Sequence, residues 1–345
     1  VTEGLNQRFT WPMRGLAAML LLLCLSPVVA AVLPLLGAPA ESIAEALTLL
    51  SSTRLWGLWL KSCAIAVGTV GVALVLGAPL GYCLHILAGA RRTLLPALLS
   101  APLFLPPHVM AVAWIDVLGP HGLVASWGIP LPALYTPMGV ALVQALSWYP
   151  IPLFAVWLHL RQQDPRIADA AKTLAPGPFV FWHVTAPLLR PALLTGALIV
   201  FLLSLLNFSV PSLLQVPVFT VEIFSSFNSL LDQRQAVLLA APLVATGLLL
   251  GTLLFRFAPR IVQQPIQSPR ATPRTRTIAR RYAVAVSVLL LGLPAAALLF
   301  RIGTPHALWG AWQTGAHEIG TSLLLSGVGA TLLLLLTLPL ALQTR

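Results

Sequence analysis

Charge is scarce in this sequence. Acidic and basic side chains together make up 8% of the 345 residues, against roughly 25% in soluble domains. With 58% hydrophobic residues and a mean hydropathy of +0.91, that scarcity excludes a soluble globular fold. Cysteine is almost absent. Cys24, Cys63 and Cys83 fall inside apolar stretches at unrelated spacings, which describes buried thiols and no disulfide or metal framework. Lysine occurs only as Lys61 and Lys172. Neither ends a G-x-x-x-x-G-K-[ST] loop, so the chain holds no nucleotide-phosphate cradle of that type. The seven histidines are scattered; no HExxH motif, Cys/His pairing or nucleophile–base spacing points to a metal or to catalysis.

What the sequence has instead is length of apolar run. Stretches near 13–35, 62–87, 94–115, 136–160, 190–214, 235–255, 283–301 and 319–342 suit a bilayer core, which takes about 20 apolar residues per helix. Leu/Ala/Val runs of this length are not the short alternating strands of a barrel, so the expected class is an all-α polytopic membrane protein. The formal charge of +11 is distributed by side. With the N-terminus inside, the cytoplasmic segments collect sixteen of the twenty Lys and Arg, leaving Arg54, Lys61, Arg234 and Arg301 outside. The outer face takes six of the nine acids, among them Asp116 and Glu222. Such a bias sets membrane orientation, and no nucleic-acid partner is needed to explain it. The first run lacks a small-residue cleavage site and reads as a retained helix.

Residues 1–257 hold six of the runs and read as one transmembrane unit. Residues 258–282 read as a cytoplasmic linker, with Pro259, Pro265, Pro269 and Pro273 set among six arginines and no periodicity that could bury a core. From 283 the pattern restarts. A span is followed by a loop carrying Trp309 and Trp312, as the first span is followed by Trp56 and Trp59. At a constant offset of 260, Ser62, Leu76, Pro79 and Leu80 fall on Ser322, Leu336, Pro339 and Leu340. Residues 283–345 therefore read as the first two helices of a repeated unit. Val1 at the start and a repeat that stops at Arg345 suggest a piece of a longer chain.

Prolines punctuate the spans: Pro106-Pro107 in the third, Pro150 and Pro152 in the fourth, and Pro211 expected to close the fifth. Each removes a backbone donor and bends its helix. Polar groups at membrane depth face the bundle interior or a cavity, which marks His108, Gln144, Ser204 and Asn207 as candidates for a translocation pathway. Bonding between helices is the competing reading for each of them.

One polar island interrupts this apolar chain. Between Arg161 and Arg190, Asp164-Pro165 starts a helix in which Ala168, Ala170 and Ala171 are favourable. Pro176-Gly177-Pro178 is expected to stop it, and an aromatic stretch then leads to Pro187. A helix, a break and a short aromatic segment suit a groove on a partner protein.

The island resembles the EAA loop of permeases of the binding-protein-dependent ABC importers. Asp169 stands where Glu is usual, Ala170 and Ala171 match, Ala175 replaces a Gly, and Pro187 matches the closing proline after a gap one residue short. Leu105-Pro106-Pro107-His108-Val109, Trp148-Tyr149-Pro150 and Leu206-Asn207-Phe208-Ser209-Val210-Pro211 are similar to the iron(III)-type permeases, in which two permease halves are often fused. The resemblance covers roughly 50–257 and implies a six-helix type I importer unit plus the start of a second one. It implies a multi-pass protein of the bacterial inner membrane that takes solute, ferric iron first, from a periplasmic binding protein. It also implies a second permease half and a separate ABC ATPase dimer, which binds ATP and Mg and docks on Asp169, Ala170, Ala171, Ala175 and Pro187. The chain itself would hold no cofactor and catalyse nothing. Thiamine or another small solute, or an ATP-independent secondary transporter, are the alternatives.

Overall fold

The computed structural model describes residues 51–87, 94–128, 134–163, 176–228, 233–257, 272–302 and 305–343, with isolated positions between 15 and 48 and at 170, 171 and 173. The described residues are helical, with no strand among them. One unit comprises Glu45–Phe300, and a second comprises Val1–Ala44 with Arg301–Arg345.

The first unit is organised by a single long helix, α1 (Thr53–Leu87), around which the others gather. It is followed by α2 (Leu95–Phe104), α3 (Pro107–Leu118), α4 (Pro137–Trp148) and α5 (Pro150–Arg161). After the polar island come α6 (Arg190–Leu206), α7 (Ser209–Leu213), α8 (Phe219–Asn228), α9 (Gln233–Phe257), α10 (Pro273–Ser287) and α11 (Leu293–Ile302). Helices α4, α5, α6, α8 and α10 all pack on α1. Glycine permits the closest of these contacts. A Cβ on Gly77 would stand 2.8 Å from Pro152 Cγ and overlap the Tyr149 carbonyl, and one on Gly81 would overlap that of Leu153. The two glycines lie four residues apart on one face of α1, the spacing that lets helices in lipid approach backbone to backbone.

Among the described residues, five helices are long and apolar enough to cross a membrane, or up to seven if each of two bent pairs is one span. They fall on the second to eighth runs of the sequence; most of the first run, 13–35, lies outside the described residues, although the described positions between 15 and 33 are helical. Proline accounts for the bends. Pro150 and Pro152 begin α5, which leaves α4 at 43°. In the third span Leu105 is extended before Pro106, as a residue preceding proline prefers. The helix is thereby cut into the short α2 and a crossing segment, Pro107–Ser126. Two π-turns, Phe181–Thr185 and Val288–Gly292, each lie two residues before a proline, Pro187 and Pro294. The wider turn accommodates a ring that cannot donate and that crowds the carbonyl four residues back.

Three local expectations change. The fifth span ends at Leu206, five residues before Pro211; Asn207 is extended and its Oδ1 accepts from Val210 N at 3.0 Å. Pro211 then sits in the first turn of α7, where no donor is required. The tryptophans expected in loops are helical: Trp56 and Trp59 pair edge to face at 5.8 Å in the first turns of α1, and Trp309 and Trp312 belong to α12 (Pro305–Gln343). Helix α10 starts at Pro273, inside the stretch composition assigns to a linker, because Thr272 caps it by accepting from Thr275 N at 3.2 Å. Residues 258–271 lie outside the described residues.

The second unit is represented chiefly by α12. No residue of its apolar stretch, Trp309–Leu335, is buried.

Candidate functional site

The polar island is built as an anchored platform. Asp169, Lys172 and Ala175 lie outside the described residues; Ala170, Ala171 and Thr173 are helical, and Ala170 is exposed. Pro176 interrupts only briefly, since Gly177–Val180 is helical again and runs through the π-turn into Ala186–Leu188 and then α6 at a 49° bend. Pro187 is half-buried at the start of that bend.

The inward side of this segment is tied to the bundle. Val180 is buried, Phe181 meets Tyr82 of α1 edge to face at 5.7 Å, and His159 Nε2 of α5 donates to the Leu188 carbonyl at 2.9 Å. The outward side carries Phe179 and Trp182, 55% and 69% exposed. His183 stacks on Phe179 at 3.9 Å and donates from Nδ1 to its carbonyl at 3.0 Å. The element is thus fixed on its inner side to α1 and α5 and presents aromatic rings on its outer side.

The second feature lies in the interior. Gln144 of α4 and Ser204 of α6 are buried, and with Thr69 of α1 they form one hydrogen-bonded cluster. Ser204 Oγ donates to Gln144 Oε1 and lies 3.1 Å from Thr69 Oγ1, which is 3.2 Å from the same amide oxygen. Asn207, at the break after α6, lines the same small cavity as Gln144 and Ser204. His108, on α3, is exposed and does not line it. Three of the four candidates are thus brought together, and they face one another across helix contacts.

Thr69 was not singled out by sequence, nor were Ser62 and Thr220. Ser62 Oγ accepts from Phe219 N at 3.0 Å, and Thr220 Oγ1 donates to the Asn207 carbonyl at 3.2 Å. A hydroxyl in a membrane helix satisfies itself on the carbonyl four residues back, as Thr69 does on Ile65 at 2.9 Å, so its type alone carries no signal. Arg54 and Glu222, both assigned to the outer face, form a two-pronged ion pair at 2.9 and 3.1 Å that joins α1 to α8.

No protein-family profile matches the chain. Individual proteins do. It is 24% identical over 306 residues to the Fe(3+)-transport system permease protein FbpB 2 of Haemophilus influenzae, across 85% of this chain and 56% of that protein. It is 30% identical over 123 residues to the molybdenum transport system permease protein ModB of Escherichia coli, across 34% of this chain and 53% of that one. It is 29% identical over 184 residues to the sulfate transport system permease protein CysT of Escherichia coli, across 50% of this chain and 66% of that one. The chain therefore spans between about half and two thirds of each relative's length. A bundle of broken apolar helices and a polar island anchored to it accompany that similarity, and each of these three relatives is a transport system permease protein.

Proposed function

We propose that this chain is the membrane-spanning permease of an ABC importer and that its solute is ferric iron. The observation that carries this reading is the similarity to an Fe(3+)-transport permease across 85% of the chain. The partners follow from that reading. A periplasmic binding protein delivers solute to the acidic outer face of a bacterial inner membrane. A second permease half completes the pathway, and a separate ATPase dimer binds ATP and Mg. The excess of Lys and Arg on one side supports a cytoplasmic N-terminus and places the polar island on the ATPase side. Hydrolysis belongs to the partner, and this chain acts as a transport subunit without catalytic residues.

In this reading the ATPase seats on Asp169, Ala170, Ala171, Ala175 and Pro187, beside the exposed Phe179 and Trp182. Asn207, Ser204, Gln144 and His108 border the pathway. The first three line one shared cavity, and His108 stands exposed at the start of α3. The matches to molybdenum and sulfate permeases favour a second reading, an oxyanion as solute.

Two measurements test this. The chain is coexpressed with its ATPase, alone and with Ala170→Glu and Ala171→Glu together; the expected result is copurification that the double substitution abolishes. Uptake of labelled ferric iron, molybdate and sulfate is then compared in vesicles carrying the complete system. Uptake of iron alone supports the first reading, and uptake of an oxyanion replaces it with the second. Copurification that survives the double substitution would remove the island as the docking surface.

A further inference from the structure

The Gln144 side chain is 1% exposed at the meeting of α1, α4 and α6. Its amide oxygen accepts from Ser204 and lies 3.2 Å from Thr69 Oγ1, while its nitrogen has no hydrogen-bond partner among the described residues. Leaving such a group bare costs about 1–3 kcal/mol. Gln144 also lines a small cavity with room for about one water molecule. Ser62, Ser204, Asn207 and Thr220 supply polar atoms to the same wall, with Leu205 and Val218 closing it.

The conclusion does not depend on which way the amide is turned. With the oxygen toward Ser204 and Thr69, two N–H groups lack an acceptor. With the amide reversed, its nitrogen donates to the two hydroxyl oxygens and its oxygen lacks a donor. In either case one end remains unmatched beside the void. The group that fills it must be able to donate and to accept, must carry no charge, and must fit the least space that holds one water, about 10–15 Å³.

We propose that a single water molecule is bound in this cavity as a fixed part of the fold, held by the unmatched end of the Gln144 amide and by one free hydroxyl lone pair, of Thr220 or of Ser62. The assignment stands whichever solute the chain carries. It also gives the junction a mechanical property. The segment from Asn207 to Thr220 contains only the short α7, and its backbone is tied to the bundle through Ser62 and Thr220. A water between them lets that segment shift against the helices by exchanging hydrogen bonds, without exposing a bare amide at each step.

Pulsed X-ray hydroxyl labelling of the full chain in lipid nanodiscs, read by mass spectrometry, tests the site, because a bound water generates the radical in place. Leu205 and Val218, 2% and 3% exposed, are expected to be labelled, while the equally buried Leu153 and Val143 are not. Gln144→Met removes the polar end and should abolish the label at Leu205 and Val218, with Trp182 unchanged. The proposal is overturned if wild-type Leu205 and Val218 stay as unreactive as Leu153. It is equally overturned if their label takes up ¹⁸O from the solvent as fast as Trp182 does, since that describes bulk water. Labelling retained in Gln144→Met would remove Gln144 as the anchor. Should that variant fail to assemble, the wild-type comparison decides by itself.

Discussion

Helices α1 and α12 are alike in length and apolarity and opposite in burial. Both are long, 35 and 39 residues, and both are apolar enough to cross a membrane. They can also be laid on each other at an offset of 260. Yet thirteen residues of α1 are buried, including Ser62, Thr69, Gly77 and Gly81, and none of the Trp309–Leu335 stretch is. Apolarity puts a helix into lipid, where other apolar side chains offer little further gain. What buries α1 is shape and polarity: two glycines that admit the backbone of α5, and a threonine that meets Gln144 and Ser204. Gly327 and Gly329 of α12 have nothing within 4 Å of the space a Cβ would take.

That comparison can be broken most directly at the glycines. Gly81→Leu should destabilise the chain by about 3 kcal/mol or more through forced overpacking against α5, whereas Gly329→Leu should stay within about 0.5 kcal/mol. Thermal unfolding of the purified chain in detergent measures both, and equal losses would remove close packing as the distinction.

A smaller effect is expected from the polar cluster. A double-mutant cycle of Gln144→Ala and Ser204→Ala should give a coupling of about 0.6 kcal/mol and at most about 1.7 kcal/mol, the range for hydrogen bonds between membrane helices. A coupling of zero would mean that the two residues merely fill space. The smallest effect belongs to Arg54 and Glu222, whose side chains are 71% and 29% exposed. Their cycle, with both changed to Ala, should give under about 1 kcal/mol and shrink further in high salt. A larger, salt-insensitive value would show that this end of α1 is enclosed.

The legible parts of the fold were those encoded in consecutive residues. Seven runs became helices or bent pairs, and Pro150 and the Pro106-Pro107 pair broke them close to where they stand. The polar island was visible as an interruption, although the anchoring of its inward side through Tyr82 and His159 was not. Other features depended on partners distant in sequence. Pro211 looked like the end of the fifth span, but a proline is at home in a first turn, and Asn207 made the break one turn earlier. The tryptophans looked like loop residues because aromatic rings mark membrane borders, and a helix can extend through that border. Thr69 gave no sign, since its hydroxyl could have been satisfied within its own helix.

By itself the sequence determined that this chain is a helical membrane protein and that its spans break at Pro106-Pro107 and at Pro150. Each of these follows from transfer free energies and backbone chemistry summed along the chain. Only the tertiary structure decided that α1 is the centre, that Gly77 and Gly81 bear on α5, and that Gln144, Ser204 and Thr69 form one cluster beside a water-sized cavity. Those outcomes depend on which faces meet, and in a uniformly apolar chain hydropathy distinguishes no face from another.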